Sequence, residues 1–398
     1  MTHTAAPPFL DTLRASGLLP PPLFDRLTAD LPDGPAAADA MVDRGHLTRF
    51  QAERLLAGRA DGFHLGPYVI LEQVGKGSMG RVYKARHTAM NRHVAIKVLS
   101  PEFTGTAAAK ETFHREVRAA ARLNHPNVVT AYDANEVGGR FYIVLEFVDG
   151  PTLAGLVKAR GPLPVAEACG YARQIALGLQ HAHELGMAHG DLKPTNVMVS
   201  RAGRSHGGEV KITDFGIAQL GRGASPEFAA PEPTRDALSD LYSLGCVLHV
   251  LLTGRPPHPA GPRVEHLRPD VPPRVAAVVN ALLAKNPRAR IPTAVEVAER
   301  LDGMGHGAGT VSFDLPPIQP GQYSFSGSGG HPAPPAADTS PWAQLTDAVP
   351  DLELTPMPTR RLRPVRRKPE TPWVALAAMG LALGATGVLA FVVRAMTK

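Results

Sequence analysis

"MAHGDLKPTNVMV", residues 187–199, places an aspartate, a lysine and an asparagine at positions 191, 193 and 196. That trio suits phosphoryl transfer, which asks a protein for positioning and charge neutralisation rather than covalent chemistry. Asp191 would accept or orient the hydroxyl proton of an acceptor. Lys193, two residues on, would reach the transferring γ-phosphate. Asn196 offers a carbonyl oxygen to a second divalent cation.

Upstream, "YVILEQVGKGSMGRVYKARH" begins at Tyr68 and alternates as strands do, with glycines at 75, 77 and 80. Glycines between two strands let backbone close over phosphates without a Cβ clash. Val74, Gly75, Lys76, Gly77, Ser78, Met79, Gly80 and Val82 are the candidate nucleotide-binding residues of this turn. "VAIK" puts Lys97 on the next strand, where its ammonium would neutralise the α- and β-phosphates. Glu116, on an expected helix in "ETFHREVRAAARLNHPNVV", would pair with Lys97 and hold it in place, with acids such as Glu111 competing for that role. Downstream, Asp214-Phe215-Gly216 follows the strand-like "EVKIT", and Asp214 is a hard oxygen ligand suited to Mg²⁺. Ala230-Pro231-Glu232 closes the set. Each motif alone is common; their order and context together are not.

Residues 68–302 resemble a protein kinase catalytic domain of the bacterial serine/threonine (Hanks-type) family. The resemblance implies an α+β, two-lobed fold: a small β-rich lobe, a hinge and a large helical lobe, with ATP and Mg²⁺ (or Mn²⁺) between them. It implies Leu145 as gatekeeper, with the Glu146 and Val148 backbone at the adenine edge. Val82, Ala95 and Met198 would sandwich the ring. Asp191, Lys193, Lys97 and Glu116 would be catalytic, with Asn196 and Asp214 on the metal. Asp240 in "LSDLYSLGCVL" would brace the catalytic loop, and Arg290 would pair with Glu232. The partners implied are proteins bearing Ser or Thr hydroxyls, and the lysine at 193 matches Ser/Thr rather than tyrosine kinases.

Two departures from the family pattern occur together. The family carries an arginine immediately before the catalytic aspartate, where it meets a phosphate on the activation loop; this chain has Gly190. The loop itself is short. "PEFAAPE" aligns with the family's substrate-docking turn, which puts Ser225 in the threonine slot beside Asp191 and Phe228 in the tyrosine slot. The intervening "IAQLGRGA" contains no Ser, Thr or Tyr. A phosphate needs a cationic reader to order a segment, and here both are missing. The expectation is a kinase free of activation-loop control. The rival reading is a pseudokinase scaffold that binds nucleotide or partners without transfer.

The rest of the 398 residues divide by composition. Residues 1–64 read as short amphipathic helices broken by prolines, with apolar spacing in "FLDTLRASGLL" and "LTRFQAERLLAG". Residues 303–371 are rich in Pro, Gly and Ser and read as a linker. Residues 373–393, "WVALAAMGLALGATGVLAFVV", are uncharged and long enough to cross a bilayer core of roughly 30 Å. The basic run "RRLRPVRRK", residues 360–368, precedes it and suits anionic lipid headgroups better than nucleic acid. The positive-inside rule then expects a single-pass inner-membrane protein, its catalytic domain cytoplasmic and residues 394–398 a short outer tail. The net charge of +6 is concentrated in that run and is no nucleic-acid signal. No secretory signal is read in "MTHTAAPPFL". Cys169 and Cys246 have no metal-ligand spacing and read as reduced thiols. The oligomeric state is not readable.

Overall fold

Period-two alternation from residue 68 onward builds the sheet that carries the nucleotide motifs. The computed structural model describes residues 8–77, 80–100, 106–137, 139–201, 208–215, 225–258 and 260–304. Ser78, Met79, Gly216, the linker beyond residue 304 and the apolar segment 373–393 lie outside them. Strands β1 (His64–Leu65), β2 (Tyr68–Gly77), β3 (Gly80–His87), β4 (Arg92–Leu99), β5 (Ala131–Val137) and β6 (Arg140–Glu146) form one antiparallel sheet. Their order is β1-β2-β3-β4-β6-β5.

Successive side chains on a strand face opposite ways. Val94, Ile96 and Val98 therefore join Tyr142 and Val144 in one apolar cluster. Ala95 and Leu99 join Ile143 and Leu145 in another. Lys97 shares the parity of Ala95, which turns its ammonium inward, and it is buried. Helix α5 (Ala107–Ala120) starts at Thr106, whose hydroxyl caps the Ala109 N–H. It covers the inner face through Phe113, which meets Phe141 at 4.7 Å between ring centroids.

The helical periodicity expected after residue 163 becomes α7 (Val165–Glu184), α8 (Ala237–Thr253), α9 (Val264–Leu267), α10 (Pro273–Leu282) and α11 (Ala294–Leu301). Helix α6 (Leu153–Arg160) precedes them, and a hairpin of β7 (Val197–Ser200) and β8 (Glu209–Ile212) interrupts them. Helix α8 is buried on nearly every face, from Ser239 to Leu252. Its N-terminus is fixed by an Asp236–Ser239 capping box, which sets Asp240 in the first turn beneath the catalytic loop. Both cysteines are fully buried in this lobe, and burial pushes the Cys169 thiol up to about 11 and Cys246 to about 12.

The helices expected in residues 1–64 are α1 (Phe9–Ser16), α2 (Pro21–Thr28), α3 (Pro35–Asp43) and α4 (Arg49–Leu56). Prolines start α2 and α3 rather than break them, since a first-turn residue needs no N–H partner. Phe9, Leu13, Phe24, Met41, Leu55 and Phe63 form a core of their own.

Candidate active site

The catalytic loop is held by its backbone. The buried Asp240 carboxylate accepts from the N–H groups of His189 at 2.7 Å and Gly190 at 2.9 Å. The same carboxylate meets His183 Nε2 at 2.8 Å, which accounts for one histidine of "HAH". The expected brace is present, and it grips the two residues before Asp191. His189 adds a second tie. Its Nδ1 accepts from the Asp191 N–H at 3.2 Å, so the proton sits on Nε2 and is donated to the Thr213 carbonyl at 2.8 Å. Its ring meets Phe215 at 4.8 Å. One histidine thus links the catalytic loop to the segment bearing Asp214, a role that sequence reasoning missed.

Asp191, Lys193 and Ser225 close a polar triangle. Asp191 Oδ1 accepts from the Ser225 N–H at 2.9 Å, and Oδ2 pairs with Lys193 at 2.8 Å. Lys193 Nζ donates to Ser225 Oγ at 2.7 Å. The slot assigned to Ser225 from the "PEFAAPE" alignment is the slot it occupies. Asn196, fully buried, donates its amide to the Asp191 carbonyl at 2.9 Å, and its Oδ1 lies 3.5 Å from the Thr195 hydroxyl.

Gly190 adopts φ +76°, in the left-handed region. Any residue with a Cβ would be strained there, by about 1 kcal/mol. A Cβ at this position would also come within 3.5 Å of Arg235 Cδ. The glycine therefore relaxes a backbone that the Asp240 anchor imposes.

The small-lobe side departs from expectation. Lys97 pairs with Asp214 at 2.8 Å, both side chains almost fully buried. Glu116 does not take Lys97; its Oε1 accepts from Arg115 Nε at 3.2 Å. The reason is competition: Asp214 satisfies the lysine within the cleft, and the neighbouring guanidinium satisfies the glutamate. Glu116, Leu145, Asp214 and Phe215 line a shared cavity of about 30 Å³. Asp214 itself sits at φ +66°, uncommon for a residue with a Cβ and a mark of functional strain.

The residues expected around the adenine lie together. Val74, Val82, Ala95, Leu145, Val148 and Met198 belong to one apolar cluster, with Met198 contributed by β7. Gly75 lies opposite Val82, Lys76 opposite Arg81 and Gly77 opposite Gly80 across the β2–β3 pair. A Cβ on Gly80 would strike the Val98 carbonyl at 2.0 Å, so only glycine fits. The Glu146 N–H is spent on the Thr130 carbonyl at 2.9 Å, so any bond it gives a nucleotide must come through its own carbonyl. Its carboxylate pairs with Lys211 at 3.0 Å.

Arg290 grips Glu232 with two bonds of 2.5 and 2.7 Å, as the resemblance implied. The arginine's hydrogen bonds hold the Glu232 carboxyl below its ordinary range. Arg290 also donates to the Ala284 and Leu238 carbonyls, which ties the closing motif to the helices behind it.

A two-lobed cleft with these residues at its edges defines a protein kinase fold. Residues 68–299 match the family "Protein kinase domain", over half of the chain, and the chain belongs to that family. It is 35% identical over 266 residues to the serine/threonine-protein kinase PknD of Mycobacterium tuberculosis, covering 60% of this chain and 39% of PknD. It is 36% identical over 263 residues to the serine/threonine-protein kinase PrkC of Bacillus subtilis, covering 58% of this chain and 39% of PrkC. The chain thus spans about two fifths of the length of these relatives. Among solved structures it is similar to the kinase domain of Mycobacterium tuberculosis PknI, with a TM-score of 0.53 and 29% identity, covering 61% of this chain and 98% of that one.

Proposed function

We propose that this chain is an ATP-dependent serine/threonine protein kinase whose activity does not require phosphate on its activation loop. The Asp191–Lys193–Ser225 triangle carries the reading, because it sets a base, a cation and a hydroxyl around one point. The similarity to named serine/threonine kinases supports the same class.

The residues fit a nucleotide with a divalent cation. Among the described residues no three His, Cys, Asp or Glu side chains cluster as a metal site. A cation here would draw on Asp214 and Asn196 and complete its shell from phosphate and water, the habit of Mg²⁺. Held there, it would neutralise charge on the transferring phosphates. Asp191 orients the acceptor hydroxyl and takes its proton. Lys193 faces the transferring phosphoryl group. Lys97 offers charge to the phosphates from the roof. Val82, Ala95 and Met198 exclude water around the base.

The absence of a phosphorylatable residue in 217–224, together with Gly190, supports the independence from loop phosphate. The apolar segment 373–393 and the basic run 360–368 support a membrane tether with the kinase domain on the cytoplasmic side. The test is γ-phosphate transfer by the purified full chain to a mixed protein substrate, with phosphoamino-acid analysis. Phosphoserine and phosphothreonine are expected. Nucleotide binding without transfer would favour the scaffold reading instead. Fractionation of cells expressing the chain with and without residues 372–398 reads the tether, and equal solubility would refute it.

A further inference from the structure

Helix α4 begins on a capping box whose two side chains each have a second task. Thr48 Oγ1 accepts from the Gln51 N–H at 3.2 Å, and Gln51 Oε1 accepts from the Thr48 N–H at 2.9 Å. That exchange closes the helix N-terminus. The remaining donors go to the sheet. The Thr48 hydroxyl donates to the Leu71 carbonyl, and Gln51 Nε2 donates to the Ile70 carbonyl at 2.7 Å. Gln51 is only 3% exposed, so its bond to Ile70 is shielded from water, and the Thr48 bond to Leu71 is partly so.

The carbonyls they take sit at a bend. Between β2 and β3 the register passes from Ile70 opposite Ala85 to Glu72 opposite Lys84, so Leu71 is an extra residue. A bulge leaves its extra residue outside the ladder and bends the strand. A second bulge follows at Val74, the residue that joins the adenine wall just before Gly75. The outer edge of β2 is closed by the same upstream segment. Ile70 N–H donates to the Phe63 carbonyl at 2.7 Å, and β1 pairs with Tyr68 and Val69. Phe50 packs on the outer sheet face beside Tyr83, at 6.5 Å between centroids.

We infer that Thr48 and Gln51 are positioning residues for the nucleotide loop: helix α4 holds the β2 bulge, and the bulge aims Gly75–Gly77. The inference rests on reading that loop as the ATP site. It gives residues 1–64 a mechanical role that composition could not, and it makes ATP affinity depend on whether α4 stays seated.

Three variants of the full chain separate this from ordinary helix capping. Thr48→Val removes the hydroxyl, Thr48→Ser keeps it, and Gln51→Glu keeps the acceptor for Thr48 while losing the donor to Ile70. Amide hydrogen exchange over residues 70–77 without nucleotide, KM for ATP and kcat are measured for each. Thr48→Val and Gln51→Glu are expected to speed exchange in that stretch. They should raise KM for ATP about five- to tenfold with kcat within about twofold, the scale of one lost buried hydrogen bond. Thr48→Ser should match the unaltered chain. Lowering the pH should restore Gln51→Glu, whose protonated carboxyl donates again. A fall in melting temperature with unchanged exchange at 70–77 and unchanged KM would show a helix cap and nothing more. If the unaltered chain binds no ATP, the proposed function fails, and the exchange measurement alone still decides the role of α4.

Discussion

The two walls of the cleft are prepared differently. On the large-lobe side, Asp191 is set by backbone anchors: Asp240 holds the two amides before it, and His189 holds its own. On the small-lobe side, Lys97 and Glu116 are set by ion pairs, and each has taken a partner other than the one expected. Hydrogen bonds to backbone are short-range and directional. Of the ion pairs, Lys97–Asp214 is almost fully buried and costly to break, while Arg115–Glu116 is partly screened and weak. The difference teaches that the loop bearing Asp191 is fixed through its backbone, while the positions of Lys97 and Glu116 depend on which charged side chains reach them.

Five substitutions and one treatment probe that contrast. The largest effect belongs to Asp191→Asn. It keeps the shape and one acceptor for the Ser225 N–H, but it removes the base and the Oδ2 that pairs with Lys193, and transfer should fall on the order of 10²–10⁴-fold with ATP binding retained. A variant transferring at the original rate would remove Asp191 from its role. Next is Asp240→Asn. A neutral amide cannot accept from His189, Gly190 and His183 at once, so at least one buried donor is left bare. That costs about 1–3 kcal/mol, and kcat should fall roughly ten- to a hundredfold if the loop sags. An unchanged kcat with a lower melting temperature would mean that the anchor stabilises α8 and leaves the chemistry alone.

Much of the large-lobe wall was legible in the sequence. Asp191, Lys193, Asn196 and Asp214 sit in short motifs whose spacing alone brings them together. Ser225 follows from the turn it shares with Glu232, and Asp240 and Arg290 from the family pattern. The small-lobe ion pairs were not legible. Lys97 and Glu116 lie on different elements, and nothing in their spacing says whether Asp214 or Arg115 will arrive first. The role of Thr48 and Gln51 was half visible: T-x-x-Q marks a capping box, but not that its spare donors meet a bulge some twenty residues on. Short helices in residues 1–64 were expected, and the seat of α4 on β2 was not.

Ser225→Ala keeps the backbone N–H that Asp191 accepts and deletes the hydroxyl that Lys193 reaches. Transfer should fall about three- to tenfold, the net scale of one partly exposed hydrogen bond. Ser225→Thr should be tolerated. If alanine is as active as serine, Lys193 is held by Asp191 alone. Arg115→Ala acts on the other wall. Arg115 is 65% exposed and Glu116 only 7%, so their pair is partly screened and weak. Releasing Glu116 to compete for Lys97 should raise kcat/KM for ATP about twofold. A decrease would mean that Arg115 positions the glutamate rather than diverts it.

The smallest expected effect is none. Gly190 takes a left-handed backbone that the Asp240 anchor sets without any side chain at 190. No arginine therefore stands at this position to meet a loop phosphate, and residues 217–224 supply no hydroxyl to carry one. Ser225 is the nearest hydroxyl, and its Oγ already accepts from Lys193 while its N–H serves Asp191. Placing a dianion there would draw Lys193 away from the transfer point and set negative charge against the Asp191 carboxylate. Phosphatase-treated protein should accordingly start without a lag, and its rate should not climb as phosphate accumulates on the chain. A time course with phosphosite mapping reads both. A lag that ends as Ser225 becomes phosphorylated would overturn the independence from loop control. It would also show that the triangle drawn by Asp191, Lys193 and Ser225 is a resting arrangement that modification rearranges.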